Sequence, residues 1–314
     1  MLAPNGGFRH LEHIPSAAAG QSVLAHLTAR YPLASQAEWL ARIDSGQVFL
    51  GASPAQPDDL LRAGQQLSWL RPPWVEPEVP LATAVLYEDG DLLAVAKPSG
   101  LPTLPGGGEF LEHTLLALVR HRHPAASPMH RLGRGTSGIV LFAPSAGARK
   151  PLQAAFQEAR TRKVYRTLCS GHPEAAAFTI TAPIGEVPYA PLGLVHAAKA
   201  GGRPSESHVT TLEHRGGATL VEVEIRTGRP HQIRIHLAWA GHPLVGDPLY
   251  GPGGVPRPET RALPGDPGYL LHAQRLELAH PRTGAWLTLT CQPPPSLHCL
   301  DPSLEGSSGS SCAD

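Results

Sequence analysis

Near the N-terminus apolar residues recur at helical spacing in two stretches, first Val23, Leu24, Leu27 and Tyr31, then Ala37, Leu40, Ala41 and Ile43, with Ser35 placed to cap the second. The run Gln47–Leu50 reads as a strand and Ala63-Gly64 as a turn, so residues 21–70 predict two helices and a small sheet. Four prolines within Arg71–Pro80 make a stiff linker. Beyond it, Val85-Leu-Tyr87 and Leu92–Ala96 flank Glu88-Asp-Gly-Asp91, whose Asp and Gly tolerate the dihedrals of a hairpin turn. Thr114–Arg122 and Ala148–Arg160 predict helices, the second with Leu152, Ala155, Phe156 and Ala159 on one face. Ile139–Ala143, Lys163–Cys169, Leu220–Ile225 and Leu287–Cys291 predict strands. Val221, Val223 and Ile225 alternate with Glu222 and Glu224, which predicts one wet face. His231–Ala240 is helical by composition. Without a regular βαβ rhythm, residues 81–300 predict a mixed, mainly antiparallel α+β domain. Residues 1–20 read as a loose, partly disordered leader, and the Ser/Gly-rich 301–314 as a disordered tail.

Composition narrows the class. With 41% hydrophobic and 17% charged residues in 314, the chain can bury a core, which excludes wholesale disorder. No apolar run reaches the ~18 residues of a membrane helix, and residues 1–20 lack a basic stretch followed by an apolar one, so secretion is not expected. Four cysteines without a CxxC pair make no disulfide framework, and a zinc site from Cys291, His298 and Cys299 lacks a second close ligand pair. The expectation is a cytoplasmic monomer with no metal, no cofactor and no membrane partner. Basic and acidic residues balance at 26 each, but unevenly. Residues 1–112 hold six Arg/Lys against twelve Asp/Glu, whereas residues 130–166 hold eight against one. The basic stretch suits a local polyanion site or a solvated helix face, and charge alone leaves both open.

Two segments concentrate chemistry. Met129–Gly138 packs two arginines, three glycines and two hydroxyls ahead of a strand, a composition suited to phosphate or a splayed nucleotide. It is no serine-hydrolase elbow, since position 139 is Ile. Arg226–His236 places three arginines within nine residues around a helix start, and these need anionic partners. His231 and His236 stand five apart, off the spacing of a helical zinc pair. Pro105-Gly-Gly-Gly108 lacks the Lys-Ser/Thr of a phosphate-binding loop and reads as a flexible loop.

Taken in order, Tyr87–Gly100, His130–Gly138, Lys163-Val-Tyr165, Arg226–Arg234, Gly241–Gly251 and Leu271-His-Ala273 resemble the motifs of the RluA-type pseudouridine synthase family. Residues 21–70 resemble, in degenerate form, the S4-like domain that often precedes that catalytic domain. The resemblance implies the pseudouridine-synthase fold and a cofactor-free isomerase that flips a uridine out of structured rRNA or tRNA, cleaves its N-glycosidic bond, turns the uracil and rejoins it through carbon. It implies that Arg131 fills the gap left by the base, that Tyr165 stacks on the uracil and moves a proton, and that Arg234 pairs with the catalytic carboxylate. His130, Arg134, Thr136, Lys163, Arg229, His231 and Gln232 are implied RNA or substrate contacts.

One position departs. Where the family carries its catalytic aspartate this chain has Gly133, and Gly135 stands near a second acidic position. Glycine can neither attack a sugar carbon nor take a proton. No Asp or Glu occurs between Glu112 and Glu158, so Arg234 must meet Asp247, an RNA phosphate or solvent. Three readings follow: an active synthase whose missing group comes from elsewhere in the fold, a catalytically inactive RNA-binding protein on the same fold, or a stable relic with no RNA role whose basic segment is merely solvated.

Overall fold

A computed structural model of the chain describes residues 3–300 except 33, 107, 108 and 158–160; the expected tail at 301–314 lies outside the described residues. Two compact units, Met1–Pro77 and Glu78–Asp314, meet inside the proline-rich stretch.

The first unit contains β1 (Phe8–His13), α1 (Val23–Arg30), α2 (Gln36–Asp44), β2 (Val48–Leu50), β3 (Ser53–Pro54) and β4 (Gln66–Arg71), with an antiparallel sheet of order β1-β4-β2-β3. Ser22 caps α1, and Ser35 forms a capping box with Glu38 at the start of α2. The segment expected as a loose leader is built into this sheet, because β1 pairs with β4 from Phe8 to His13. Its apolar residues Phe8 and Leu11 are exposed, so backbone pairing holds it and no apolar period announces it.

The second unit contains β5 (Ala84–Glu88), β6 (Leu93–Lys97), α3 (Leu115–Arg122), β7 (Ser127–Pro128), β8 (Thr136–Ala143), α4 (Ala146–Gln157) and β9 (Arg162–Ser170). Then come β10 (Ala177–Ile180), β11 (Ile184–Tyr189), β12 (Gly193–Ala198), β13 (Ser207–Arg215), β14 (Ala218–Ile225) and α5 (Gln232–Trp239). The last are β15 (Tyr250–Gly251), β16 (Val255–Pro256), β17 (Leu271–Ala279) and β18 (Trp286–Thr290). A ten-stranded sheet runs β10-β13-β14-β9-β17-β8-β6-β5, with β18 on β17 and β7 on β8. Every pairing in it is antiparallel except β17 with β8, so the mixed α+β expectation holds.

The wet face expected on β14 is covered. Glu222 is only 9% exposed, and Arg275 lies 3.9 Å from it. Burial raises its carboxyl above the usual range despite Arg275 and Arg166. Alternation gave the two faces of this strand correctly, but the polar face is turned into protein and satisfied by arginines.

Candidate active site

The site is organised by the loop 130–135 that leads into β8. Three groups from the Lys97–Thr103 segment hold it. Lys97 Nζ donates to the carbonyls of Pro98, Leu101 and Arg134 at 2.9, 2.6 and 3.2 Å. Ser99 donates to the Gly135 carbonyl, and Thr103 both donates to Leu132 O and accepts from Leu132 N–H. Burial pushes Lys97 down to about 7, while three carbonyl acceptors matched to three ammonium hydrogens favour the charged form. The loop runs into β8, where Gly138 has a φ of +111° and an added Cβ would stand 2.2 Å from Ala273 O. Only glycine lets β17 lie this close to β8.

The second wall comes from the start of α5. Gln232 is buried and fully engaged: its oxygen accepts from Thr227 Oγ1 and Arg229 N–H, and its amide nitrogen donates to Glu206 O and Ser207 Oγ. That pins the loop 226–231, so the side chain expected to touch RNA is used inside the protein. His231 adopts a left-handed φ of 55° at the helix start. Its Nδ1 lies 2.8 Å from Tyr250 Oη, which itself donates to His196 O. The ring therefore carries its proton on Nδ1 and keeps Nε2 as an acceptor. Burial first, then the Arg234 charge, pushes His231 down to about 3, so the imidazole is neutral at pH 7.

Arg234 finds its anion in Asp247. The pair is bidentate, Nε to Oδ2 at 2.7 Å and Nη2 to Oδ1 at 2.8 Å, and both residues are buried. Nη1 donates to Pro264 O. Oδ1 of Asp247 also accepts from the N–H groups of Leu249 and Tyr250. Burial alone would raise this carboxyl, but the Arg234 bonds outweigh it and hold it below the usual carboxylate range. With its oxygens so occupied, Asp247 is a counter-ion and not a stand-in for the missing carboxylate.

Between the walls lies a cavity of about 110 Å³, whose lining includes Arg131, Gly133, Thr136, Tyr165, Arg229, His231, Gln232, Arg234 and Tyr269. Arg131 is exposed at this cavity and Gly133 opens onto it. Tyr165 packs against two of the cores, and burial pushes its phenol up to about 12, so it stays protonated at neutral pH. A larger apolar cavity, about 500 Å³, shares only Tyr269 and Leu271 with this one. The guanidinium groups, imidazole and phenols converge on the smaller cavity.

Three expected contacts lie outside it. His130 stacks on Phe156 at 4.9 Å and accepts from Leu141 N–H; burial, then the Lys163 charge, pushes it down to about 3. Lys163 sits 4.2 Å over the Phe156 ring. Arg134 donates to Gly265 O and lies 3.5 Å from Asp266. The residue that sequence reasoning missed is Tyr269, two positions before Leu271-His-Ala273. Its signal was indirect: two glycines, 133 and 135, at positions where side chains were expected.

A family model described as RNA pseudouridylate synthase matches residues 91–239. An uncharacterized RNA pseudouridine synthase of Synechocystis is 46% identical over 270 residues, covering 85% of this chain and 92% of that protein. RNA pseudouridine synthase 5 of Arabidopsis thaliana is 40% identical, with 76% and 79% covered. Ribosomal large subunit pseudouridine synthase D of Neisseria meningitidis is 32% identical, with 89% and 76% covered. Among solved structures, human RNA pseudouridylate synthase domain containing 1 superposes with a TM-score of 0.55 at 27% identity, covering 71% of this chain and 89% of that one.

Proposed function

The chain belongs to the RluA-type RNA pseudouridine synthase family, and from that premise we propose that it converts uridine to pseudouridine in structured RNA by flipping the base into the cavity between loop 130–135 and α5. The observation that carries this reading is the convergence of Arg131, Tyr165 and Arg234, far apart in the chain, on one cavity. In the proposed cycle exposed Arg131 takes the space the base leaves, Tyr165 lies against the uracil and handles the proton at C5, and neutral His231 offers an acceptor to the base or sugar. Arg234, tied to Asp247, fixes the shape of the cavity.

Large-subunit ribosomal RNA is the first substrate to try, since relatives carry that name, with transfer RNA second. The S4-like reading of residues 21–70, as an accessory RNA-binding unit, belongs to the same proposal. A second reading, an RNA-binding protein without turnover, is favoured by Gly133 and by the occupied oxygens of Asp247. The test is tritium release from RNA labelled at uracil C5, because joining C5 to the sugar expels that atom. Release in proportion to pseudouridine formed supports the enzyme; RNA binding without release from any cellular RNA pool supports the second reading.

A further inference from the structure

A phenol stands beside the position where the carboxylate is missing. Tyr269 is 3% exposed, and its ring lies against Gly135, where an added Cβ would come within 3.1 Å of the ring carbon bearing the hydroxyl. Its hydroxyl stands 3.2 Å from the point that Cβ of a residue at 133 would occupy. Neither glycine has the positive φ that would demand glycine for its backbone. Both are therefore glycine for room, and the room is filled by one phenol. That hydroxyl bonds to Thr136 Oγ1 at a long 3.4 Å. A buried hydroxyl so weakly bonded is costly if it only fills space, and phenylalanine would fill it better. The Arg234 guanidinium, held by Asp247, lies 4.2 Å over the Tyr269 ring. Negative charge developing on the phenol during reaction is thus stabilised by a cation fixed over its ring.

We propose that Tyr269 is the catalytic nucleophile of this enzyme, an inference that rests on the synthase reading above. The tyrosine oxygen attacks C1′ of the flipped uridine, forming C1′–O as the C1′–N1 bond breaks and its electron pair leaves on the uracil. The phenol proton passes to the released base and ends on N1, where pseudouridine carries one. After the uracil turns, C5 attacks C1′, forming C1′–C5 and expelling the tyrosine oxygen. The C5 proton returns, directly or through the Tyr165 hydroxyl, to Tyr269. Atoms and electrons balance without a co-reactant, and tyrosine is a side chain able to form such covalent intermediates.

The test compares full-length wild type with Tyr269→Phe, which keeps the ring. Tritium release from C5-labelled RNA is expected to fall about a thousandfold or more, with RNA affinity unchanged and the melting temperature no lower than that of the wild type. Tyr269→3,5-difluorotyrosine keeps shape and hydroxyl but makes the phenol more acidic; the pH-rate profile should move to lower pH, which a space-filling role would not cause. The double variant Gly133→Asp with Tyr269→Ala, a carboxylate set in the vacated space, should recover part of the activity that Tyr269→Ala loses. If wild type releases tritium and Tyr269→Phe does so equally, Tyr269 is not the nucleophile and the synthase reading stands. A difluorotyrosine profile identical to wild type overturns the proposal even if Tyr269→Phe misfolds. If wild type itself binds RNA without release, the synthase reading and this proposal fall together.

Discussion

Arg234 and Asp247 show what a buried cation requires of its surroundings. A buried guanidinium must be neutralised, and the anion that does so is Asp247, in the turn before Leu249. Asp247→Ala would strand that cation, so a loss of about 3–5 kcal/mol in urea unfolding is expected. Tyr165 is a different case: Tyr165→Phe keeps the packing and removes a proton carrier. Tritium release should drop by about 10²–10⁴ while RNA affinity holds. His130 and His231 are both pushed to about 3 by burial. The unfolded chain binds protons at these sites below an ordinary histidine value of about 6.5, while the native state refuses them until about 3. Their stabilising contribution is therefore complete above about pH 6.5 and is lost as pH falls toward 3. Urea midpoints measured from pH 8 to pH 4 should decline below 6.5, and His130→Phe should flatten part of that slope.

At the scale of elements, β17 does the assembling. Its first residues run parallel to β8 and antiparallel to β9, and its later ones carry β18. The close crossing at Gly138 makes this possible, so Gly138→Ala combines a strained φ with contact against Ala273 backbone. A loss of about 3 kcal/mol or more is expected, read as a fall in the unfolding midpoint of the whole second unit. The elements that were legible had strong local signals: the capped helices α1 and α2, the Asp-Gly hairpin β5–β6, and the apolar period of α4. Those that were not include β1, β10 and β17, whose partners lie far along the chain, and β11 to β13, which form local hairpins but carry polar residues such as Glu186 and Glu213 in place of a clean apolar period. β14 was legible as a strand but not as a strand buried on both faces, because the arginines that satisfy Glu222 lie on other strands.

Across the whole molecule, the basic segment 130–166 is less of a phosphate surface than its charge implies. Arg162 is spent on Glu224 and Glu277, Arg134 faces Asp266, and Arg166 donates to Leu297 O. Arg131, Arg149 and Lys150 are exposed. RNA binding should therefore depend on salt through the exposed group. Arg149→Ala and Lys150→Ala are each expected to reduce the slope of log affinity against log salt by about 1. Arg162→Ala should leave that slope unchanged, since its charge is already compensated within the sheet.

Local pattern and motif order, acting over a few residues at a time, determined the α+β class, the family and the absence of a carboxylate at position 133. Only the assembled sheet decided what stands in that space. Tyr269 and Gly133 lie 136 residues apart, and they meet because β8, β17 and α5 close around one small cavity. Protonation states were decided there too, since the charge a buried imidazole or phenol can bear depends on how much water its neighbours exclude.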